Sequence, residues 1–160
     1  MKQKNIQTKI EIHTFDELPA EYRQLIETAK EQTQKSYSPY SHYKVGSAVL
    51  LENGVIVGGN NQENAAYPSG LCAERVAAFY AGSQYPETAI LAIAVAAFHN
   101  GDFTYLPVHP CGACLQVLLE NEFRGGKDIK LILYGKKEVQ IVNSIKECLP
   151  LYFNFQEKNT

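Results

Sequence analysis

The sequence predicts an α/β fold in which helices cover both faces of a mixed sheet. Short apolar segments rich in β-branched residues alternate with segments of helical periodicity along the 160-residue chain. In addition, residues 89–98 and 129–135 are almost continuously apolar, which is typical of strands buried on both faces. No internal repeat or low-complexity linker divides the sequence, so we expect a single domain over residues 1–160.

The first half of the chain predicts a strand, a helix and a hairpin. Residues 8–13 alternate enough to form a short strand, added at a sheet edge. Residues 37–43, YSPYSHY, form a turn-rich loop, and residues 45–59 predict a hairpin that turns at Asn53-Gly54. Between strand and loop, a helix is expected from about Pro19, because apolar side chains recur on one face: Leu18, Tyr22, Leu25, Ile26 and Ala29.

The second half predicts two further helices, and both begin with cysteine-containing sequence. The segment SGLCAERVAAFY starts a helix that Ser69 or Gly70 can cap. After the long apolar strand, PCGACLQVLLENEF predicts a third helix from Pro110, since proline suits a first helical turn. Strands are expected at residues 129–135 and 138–142, and a short helix ends the fold.

Composition and charge exclude several classes of function. The chain is 45% hydrophobic and 20% charged, as in an ordinary globular protein, and its formal net charge of −2 offers no basic surface for nucleic acid or an anionic membrane. No apolar run approaches membrane-spanning length, and the polar start MKQKNIQTKIEI lacks the apolar stretch of a signal peptide. We therefore expect a cytoplasmic protein, in which clustered cysteines indicate metal binding or catalysis rather than disulfides.

Three cysteines are predicted at the starts of two helices. Cys72 begins one helix, and Cys111 and Cys114 form a C-x-x-C pair at the other, where the positive end of the helix dipole favours thiolates. Two such helices can bring three thiolates to one Zn²⁺ per chain, which leaves the fourth tetrahedral position open for water, as in catalytic sites. Glu74 would then lie beside that water without binding the metal.

Each of these features also has a simpler interpretation. A single C-x-x-C occurs in structural zinc sites and redox pairs, although a redox pair would leave Cys72 and Glu74 unexplained. Cys148 is either a fourth ligand that would close the site or a buried cysteine that packs. Taken alone, Glu74 would be a partner of the helix dipole and Arg75 a surface cation.

Taken together, the motifs CAE and PCGAC resemble those of zinc-dependent cytidine deaminases of the small, homotetrameric type. The resemblance runs from about Leu25 to Phe153, through SYSPYSHYKVGSAVL, GNNQENAAY, CAER, PCGACLQVLLE and LPLYF, and leaves residues 1–24 as an N-terminal extension. It implies a three-layer α/β/α sandwich with a mixed five-stranded sheet. It also implies hydrolytic deamination of free cytidine and deoxycytidine to uridine and deoxyuridine, with release of ammonia.

The same resemblance assigns roles to individual residues. Glu74 would shuttle protons during attack at C4 of the base, and Arg75 would hydrogen-bond the ligand sulfurs and offset their charge. Because a carboxylate at Glu63 would repel a phosphate group, free nucleosides are expected over nucleotides. We also expect a homotetramer in which a phenylalanine closes the pocket of a neighbouring subunit. The residues expected to bind substrate are Tyr43, Asn61, Glu63, Tyr67, Ala73 (through its backbone) and Phe153.

Three departures from the family pattern accompany this resemblance. Tyr43 stands where phenylalanine is frequent, Gln62 stands where an apolar residue is frequent, and residues 98–109 look like a loop insertion near the pocket. Two other functions stay open at this stage. One is a deaminase of another aminopyrimidine nucleoside, such as a nucleoside antibiotic; the other is a non-enzymatic zinc or thiol protein in which Glu74 is a dipole partner.

Overall fold

The computed structural model describes residues 1–155, and residues 156–160 of the predicted domain lie outside it. The described residues contain seven strands and three α-helices. The strands are β1 (Glu11–His13), β2 (Lys44–Leu51), β3 (Ile56–Asn60), β4 (Ile90–His99), β5 (Asp102–Phe103), β6 (Lys130–Tyr134) and β7 (Val139–Val142). The helices are α1 (Ala20–Thr33), α2 (Ala73–Gln84) and α3 (Gly112–Gly125).

The strands form a mixed sheet in the order β1-β7-β6-β4-β2-β3, and β5 pairs with the end of β4. β4 and β6 are parallel, whereas the other neighbouring pairs are antiparallel. The α/β class and the mixed sheet are therefore confirmed, and the strand count of five is wrong. The additional strands are β1, which is the edge strand predicted from residues 8–13, and the two-residue β5.

Helices cover both faces of the sheet, which gives the three layers. α1 packs on the face that carries Ala48 and Leu50 of β2, and α2 and α3 pack on the face that carries Val49 and Leu51. Alternate side chains of one strand thus belong to two different cores. This explains why β2 and β4 are apolar almost throughout instead of alternating with polar residues.

Two glycines let helices approach the sheet closely. A Cβ atom at Gly59 in β3 would lie 2.4 Å from the backbone nitrogen of Ala77 in α2. On the other face, a Cβ atom at Gly46 in β2 would lie 1.9 Å from the carbonyl oxygen of Ala29 in α1. No real Cβ atom tolerates either distance, so both positions require glycine. The contact at Gly59 holds α2, whose start carries Cys72, directly against the sheet.

The predicted starts of the elements hold for α1 but not for α3. α1 begins at Ala20, directly after Pro19, as predicted. α3 begins at Gly112 rather than at Pro110, because Cys111 is extended and is the N-cap residue. The expected C-terminal helix is a short 3₁₀ turn, Ile145–Glu147. None of the helices in residues 1–155 combines the length and the apolar character that a membrane crossing requires.

Residues 98–109 are a hairpin followed by a loop, rather than a loop alone. β4 runs on to His99, and the chain then turns through Asn100 and Gly101, whose φ angles are 53° and 84°. Two successive positive φ angles suit the Asn-Gly turn of a tight hairpin, so the chain returns as β5. The predicted N-terminal extension likewise contributes to the fold, since β1 joins the sheet and α1 begins within it.

Candidate active site

Three cysteine thiols meet where α2 and α3 begin. Cys72 is the N-cap residue of α2, Cys111 is the N-cap residue of α3, and Cys114 lies buried in the first turn of α3. Their Sγ atoms lie within 4.8 Å of one another, and 3.5 Å separates those of Cys111 and Cys114. Sulfurs bound to a tetrahedral zinc ion, with bonds of about 2.3 Å, are about 3.8 Å apart. The three residues therefore fit a zinc ion, and no large movement is needed to bind it.

Cys148 does not belong to this group among the residues that the structure describes. It lines an apolar cavity of about 300 Å³ together with Leu115 and Leu131. Burial raises the pKa of its thiol to about 11, so the thiol stays protonated at neutral pH. These observations favour a three-thiol site over the closed four-thiol alternative.

The charge of the cluster is set by its neighbours. The Cys114 thiol and then the Arg75 guanidinium lower the pKa of the Cys72 thiol to about 5. The Nη2 atom of Arg75 lies 3.8 Å from the Cys72 sulfur, and its buried Nε atom has no hydrogen-bond partner within residues 1–155. An unpaired buried donor beside a thiolate indicates a site built for more acceptor groups than one thiolate provides. Three metal-bound thiolates would supply those acceptors.

Glu74 is the buried acid of the site. It is 5% exposed, and its carboxyl group interacts with the thiols of Cys72 and Cys114. Burial, followed by the negative charge of Cys72, raises the pKa of Glu74 above its ordinary value. A carboxyl group in this environment exchanges a proton near neutral pH more readily than an exposed glutamate does. The three thiols thus fit a zinc ion, and a buried carboxyl group interacts with two of them.

A cleft of about 480 Å³ opens next to the thiols. Of the residues predicted for the site, the structure brings five together in its lining: Asn61, Glu63, Tyr67, Cys72 and Arg75. Asn61 and Glu63 thus line the same space as Cys72 of the thiol cluster. The cleft therefore combines a hydrogen-bonding side with a metal-binding side.

Tyr43, Ala73 and Phe153 lie outside this lining. Ala73 is fully buried at the start of α2. The Tyr43 ring packs at 5.1 Å from the ring of His99. Phe153 is 72% exposed, while Gln116 of α3 hydrogen-bonds both its backbone N–H and its backbone carbonyl. The substrate-binding roles of all three stay predictions.

Sequence reasoning named Tyr43 in the loop of residues 37–43 but missed Tyr40 and Ser41 of the same loop. Tyr40 and Ser41 line the cleft, and both hydrogen-bond the Glu63 carboxylate. Their backbone N–H groups donate to one carboxylate oxygen at 2.9 and 3.2 Å, and the Ser41 hydroxyl donates to the other oxygen. The turn-rich composition YSPYSHY was the available signal, since such loops carry binding residues more often than helices or strands do.

Comparison with known proteins agrees with this geometry. A family model described as the cytidine and deoxycytidylate deaminase zinc-binding region matches residues 19–125. A cytidine deaminase of Halalkalibacterium halodurans is 43% identical over 136 residues, which cover 84% of this chain and 96% of the relative. The crystal structure of cytidine deaminase from Burkholderia pseudomallei has 36% identity and a TM-score of 0.70, and covers 82% of this chain and 98% of its own.

A second solved structure, cytidine deaminase from Mycobacterium tuberculosis, has 29% identity and a TM-score of 0.68, and covers 86% of this chain and all of its own. The matched region includes both helix starts that carry the thiols. The protein is therefore a zinc-dependent enzyme of the deaminase class. It belongs to the cytidine and deoxycytidylate deaminase family.

Proposed function

We propose that this chain catalyses the hydrolytic deamination of free cytidine and deoxycytidine to uridine and deoxyuridine, with release of ammonia, as in pyrimidine salvage. One observation carries the proposal: the buried Glu74 lies against a three-thiol cluster, and Cys72 of that cluster lines a cleft together with Asn61 and Glu63. A structural zinc site needs neither a buried carboxyl group nor a polar cleft. The combination is that of a hydrolytic site for a small polar substrate.

The reaction requires that a proton be moved several times. Cys72, Cys111 and Cys114 would hold a zinc ion, whose Lewis acidity would lower the pKa of a water molecule so that it can lose a proton near neutral pH. Glu74 accepts one proton of the attacking water and delivers it to N3 of the base; it then carries the proton of the new C4 hydroxyl to the amino group, which leaves C4 as ammonia. Its raised pKa suits both directions of transfer, and the glutamate ends the cycle as it began.

Arg75 supports this chemistry through charge. Three thiolates on one zinc ion leave a net charge of −1, which opposes ionisation of water. The guanidinium group beside Cys72, with its unpaired Nε, offsets part of that charge. The N-terminal ends of α2 and α3 add positive potential at the same place.

Substrate binding is assigned to the polar side of the cleft and to nearby aromatic groups. Asn61 and Glu63 bind the sugar hydroxyls, Tyr67 lines the sugar pocket, and the backbone at Ala73 binds the edge of the base; Tyr43 and Phe153 enclose its ring. Arg75 is the cationic side chain of the described lining, and it faces Cys72 rather than a phosphate position. This supports free nucleosides as substrates.

Replacing Glu63 with alanine should weaken cytidine turnover and spare the small activity towards cytosine; equal losses for both would contradict the assignment.

The activity itself is tested by following the absorbance of cytidine as it is converted to uridine. We expect turnover that a zinc chelator abolishes and that added zinc restores. A chain that binds zinc but leaves cytidine unchanged would refute the proposal. Parallel assays on other aminopyrimidine nucleosides identify the alternative substrate class, since that function predicts faster ammonia release from an analogue than from cytidine.

We also propose that the active form is a homotetramer in the cytoplasm, where thiols stay reduced. Leu151, Phe153 and Phe155 are 88%, 72% and 89% exposed in the single chain, so apolar surface is concentrated at this end of the described residues. The Gln116 contacts hold Phe153 in place although its ring packs on little. This is the behaviour expected of a side chain that inserts into a neighbouring subunit.

Mixing variants tests this assembly. Glu74→Ala and Phe153→Ala chains, each of low activity alone, should recover activity when they are co-assembled, because some interfaces then combine both intact residues. Light scattering on the same samples measures the assembly. A monomer, with no recovery on mixing, would refute the tetramer.

A further inference from the structure

The Ser41 hydroxyl makes two hydrogen bonds in opposite directions. Its Oγ atom donates to Oε1 of Glu63 and accepts from the backbone N–H of Tyr43 at 3.0 Å. Few side chains can donate and accept through a single atom, and alanine at this position can do neither. Ser41 therefore links the carboxylate assigned to the sugar with the backbone of the tyrosine assigned to the base.

The other polar backbone group of Tyr43 is also held by a side chain. Its carbonyl accepts a hydrogen bond of 2.9 Å from Nδ2 of Asn61, whose Oδ1 accepts from the Ser36 hydroxyl at 2.5 Å and from the backbone N–H of Val45 at 2.8 Å. Both polar backbone groups of Tyr43 thus depend on side chains rather than on strand pairing. These two contacts fix the backbone that carries the Tyr43 ring, and the ring itself packs on His99.

The Glu63 carboxylate retains one place for a ligand. A carboxylate has about four acceptor positions, two on each oxygen. The backbone N–H groups of Tyr40 and Ser41 take both positions on Oε2, and the Ser41 hydroxyl takes one on Oε1. The remaining position lies on Oε1, next to the Ser41 hydroxyl. A sugar hydroxyl that bonds Glu63 therefore shares this oxygen with Ser41.

We propose that Ser41 is a positioning residue for the nucleoside: it orients Oε1 of Glu63 towards the sugar and fixes Tyr43 against the base. The inference rests on the proposed function and adds to it a residue that discriminates sugars by their hydroxyl groups. Ser41 touches neither zinc ligands nor Glu74 among its hydrogen bonds in residues 1–155. Its removal therefore acts on binding of the nucleoside rather than on proton transfer.

Ser38 provides the matched control. It lies in the same loop and is 8% exposed, and its hydroxyl pairs with that of Ser36 at 3.2 Å rather than with Glu63 or Tyr43. Ser38→Ala removes a loop hydroxyl of the same kind and tests whether general loosening of the loop explains an effect. Ser41→Thr keeps a hydroxyl at the linking position and tests rescue.

The experiment measures binding and turnover separately. Calorimetry with uridine and with 2′,3′-dideoxyuridine gives the preference for a hydroxylated sugar, and it requires no turnover. We expect Ser41→Ala to lower this preference roughly tenfold, the size of one charge-assisted hydrogen bond, and Ser41→Thr to restore most of it. For cytidine, KM should rise in Ser41→Ala while kcat stays within about threefold of the parent.

Different failures are distinguishable. A parent chain that binds uridine in preference to its dideoxy analogue but does not deaminate cytidine would refute the proposed function and leave the role of Ser41 measurable by binding. The role of Ser41 would be overturned if Ser41→Ala lost affinity equally for both ligands, if Ser38→Ala had the same effect as Ser41→Ala, or if the parent showed no preference between the ligands.

Discussion

Glu122 should stabilise the fold more than any exposed glutamate of α3, because its carboxylate is 2% exposed and fully engaged. One oxygen accepts hydrogen bonds from the backbone N–H groups of Ile129 and Ile145, at 3.1 and 2.8 Å. The other oxygen accepts a hydrogen bond of 2.7 Å from the Ser144 hydroxyl. Glu122 thus joins α3, whose start carries two of the thiols, to the loop before β6 and to the 3₁₀ turn near the C-terminus. No helix or strand pairing satisfies these two N–H groups.

The magnitude follows from the groups left unpaired. Glu122→Ala leaves two buried backbone N–H groups without partners, at about 1–3 kcal/mol each, so we expect a loss of about 3–6 kcal/mol once the lost side-chain packing is included. Glu122→Gln should cost less, about 1–2 kcal/mol, because its amide oxygen can still accept both N–H groups while its NH₂ faces the Ser144 hydroxyl.

Urea denaturation of the zinc-loaded protein, followed by circular dichroism, measures the free energy of unfolding of each variant. In a chain of this size the alanine variant should also melt at least about 6 °C below the parent. Glu120→Ala is the control, since Glu120 is exposed on the same helix and should change stability by less than about 0.5 kcal/mol. Equal losses in Glu122→Ala and Glu120→Ala would refute this reasoning.

Three further outcomes follow from the thiols and from Glu63. Cys148→Ser should retain one zinc ion per chain in metal analysis, whereas loss of the metal would indicate a closed four-thiol site. In the metal-free protein, iodoacetamide should modify Cys72 before Cys148. The Cys72 thiol, with a pKa of about 5, is mostly thiolate at neutral pH, whereas only about 10⁻⁴ of the Cys148 thiol, with a pKa of about 11, is ionised. The reverse order of modification would contradict this. Hydrogen bonds, above all that of Ser41, lower the pKa of Glu63, so it stays ionised and the preference for uridine over 2′,3′-dideoxyuridine should not change between about pH 8 and about pH 5; a smaller preference already at mildly acidic pH would count against this.

Local signals explain which parts of the fold and site could be predicted. Pro19, the Asn53-Gly54 turn and the apolar strands act through neighbouring residues, and the structure places the corresponding elements as expected. The meeting of Cys72 with the C-x-x-C pair was also predictable, because helix starts that follow sheet strands and their loops tend to gather at one edge of the sheet.

The parts that sequence did not reveal depend on distant contacts. β5 has two residues and no periodicity of its own; it exists because Asn100 and Gly101 turn the chain back onto β4. The contacts between Ser41 and Glu63 join residues 22 positions apart, and no spacing rule predicts which donor reaches a given carboxylate. Cys111 ends up as the N-cap of α3 because its backbone is extended, although Pro110 alone would favour an earlier start.

The central claim is that Glu74 moves protons beside a metal that it does not bind. Glu74→Gln keeps the size of the side chain and removes its ability to exchange protons, so zinc content and turnover of cytidine should be measured on the same sample. We expect one zinc ion per chain, as in the parent, and a loss of turnover of at least roughly 10²–10⁴-fold. Turnover within a few-fold of the parent, or loss of the metal together with activity, would contradict the account.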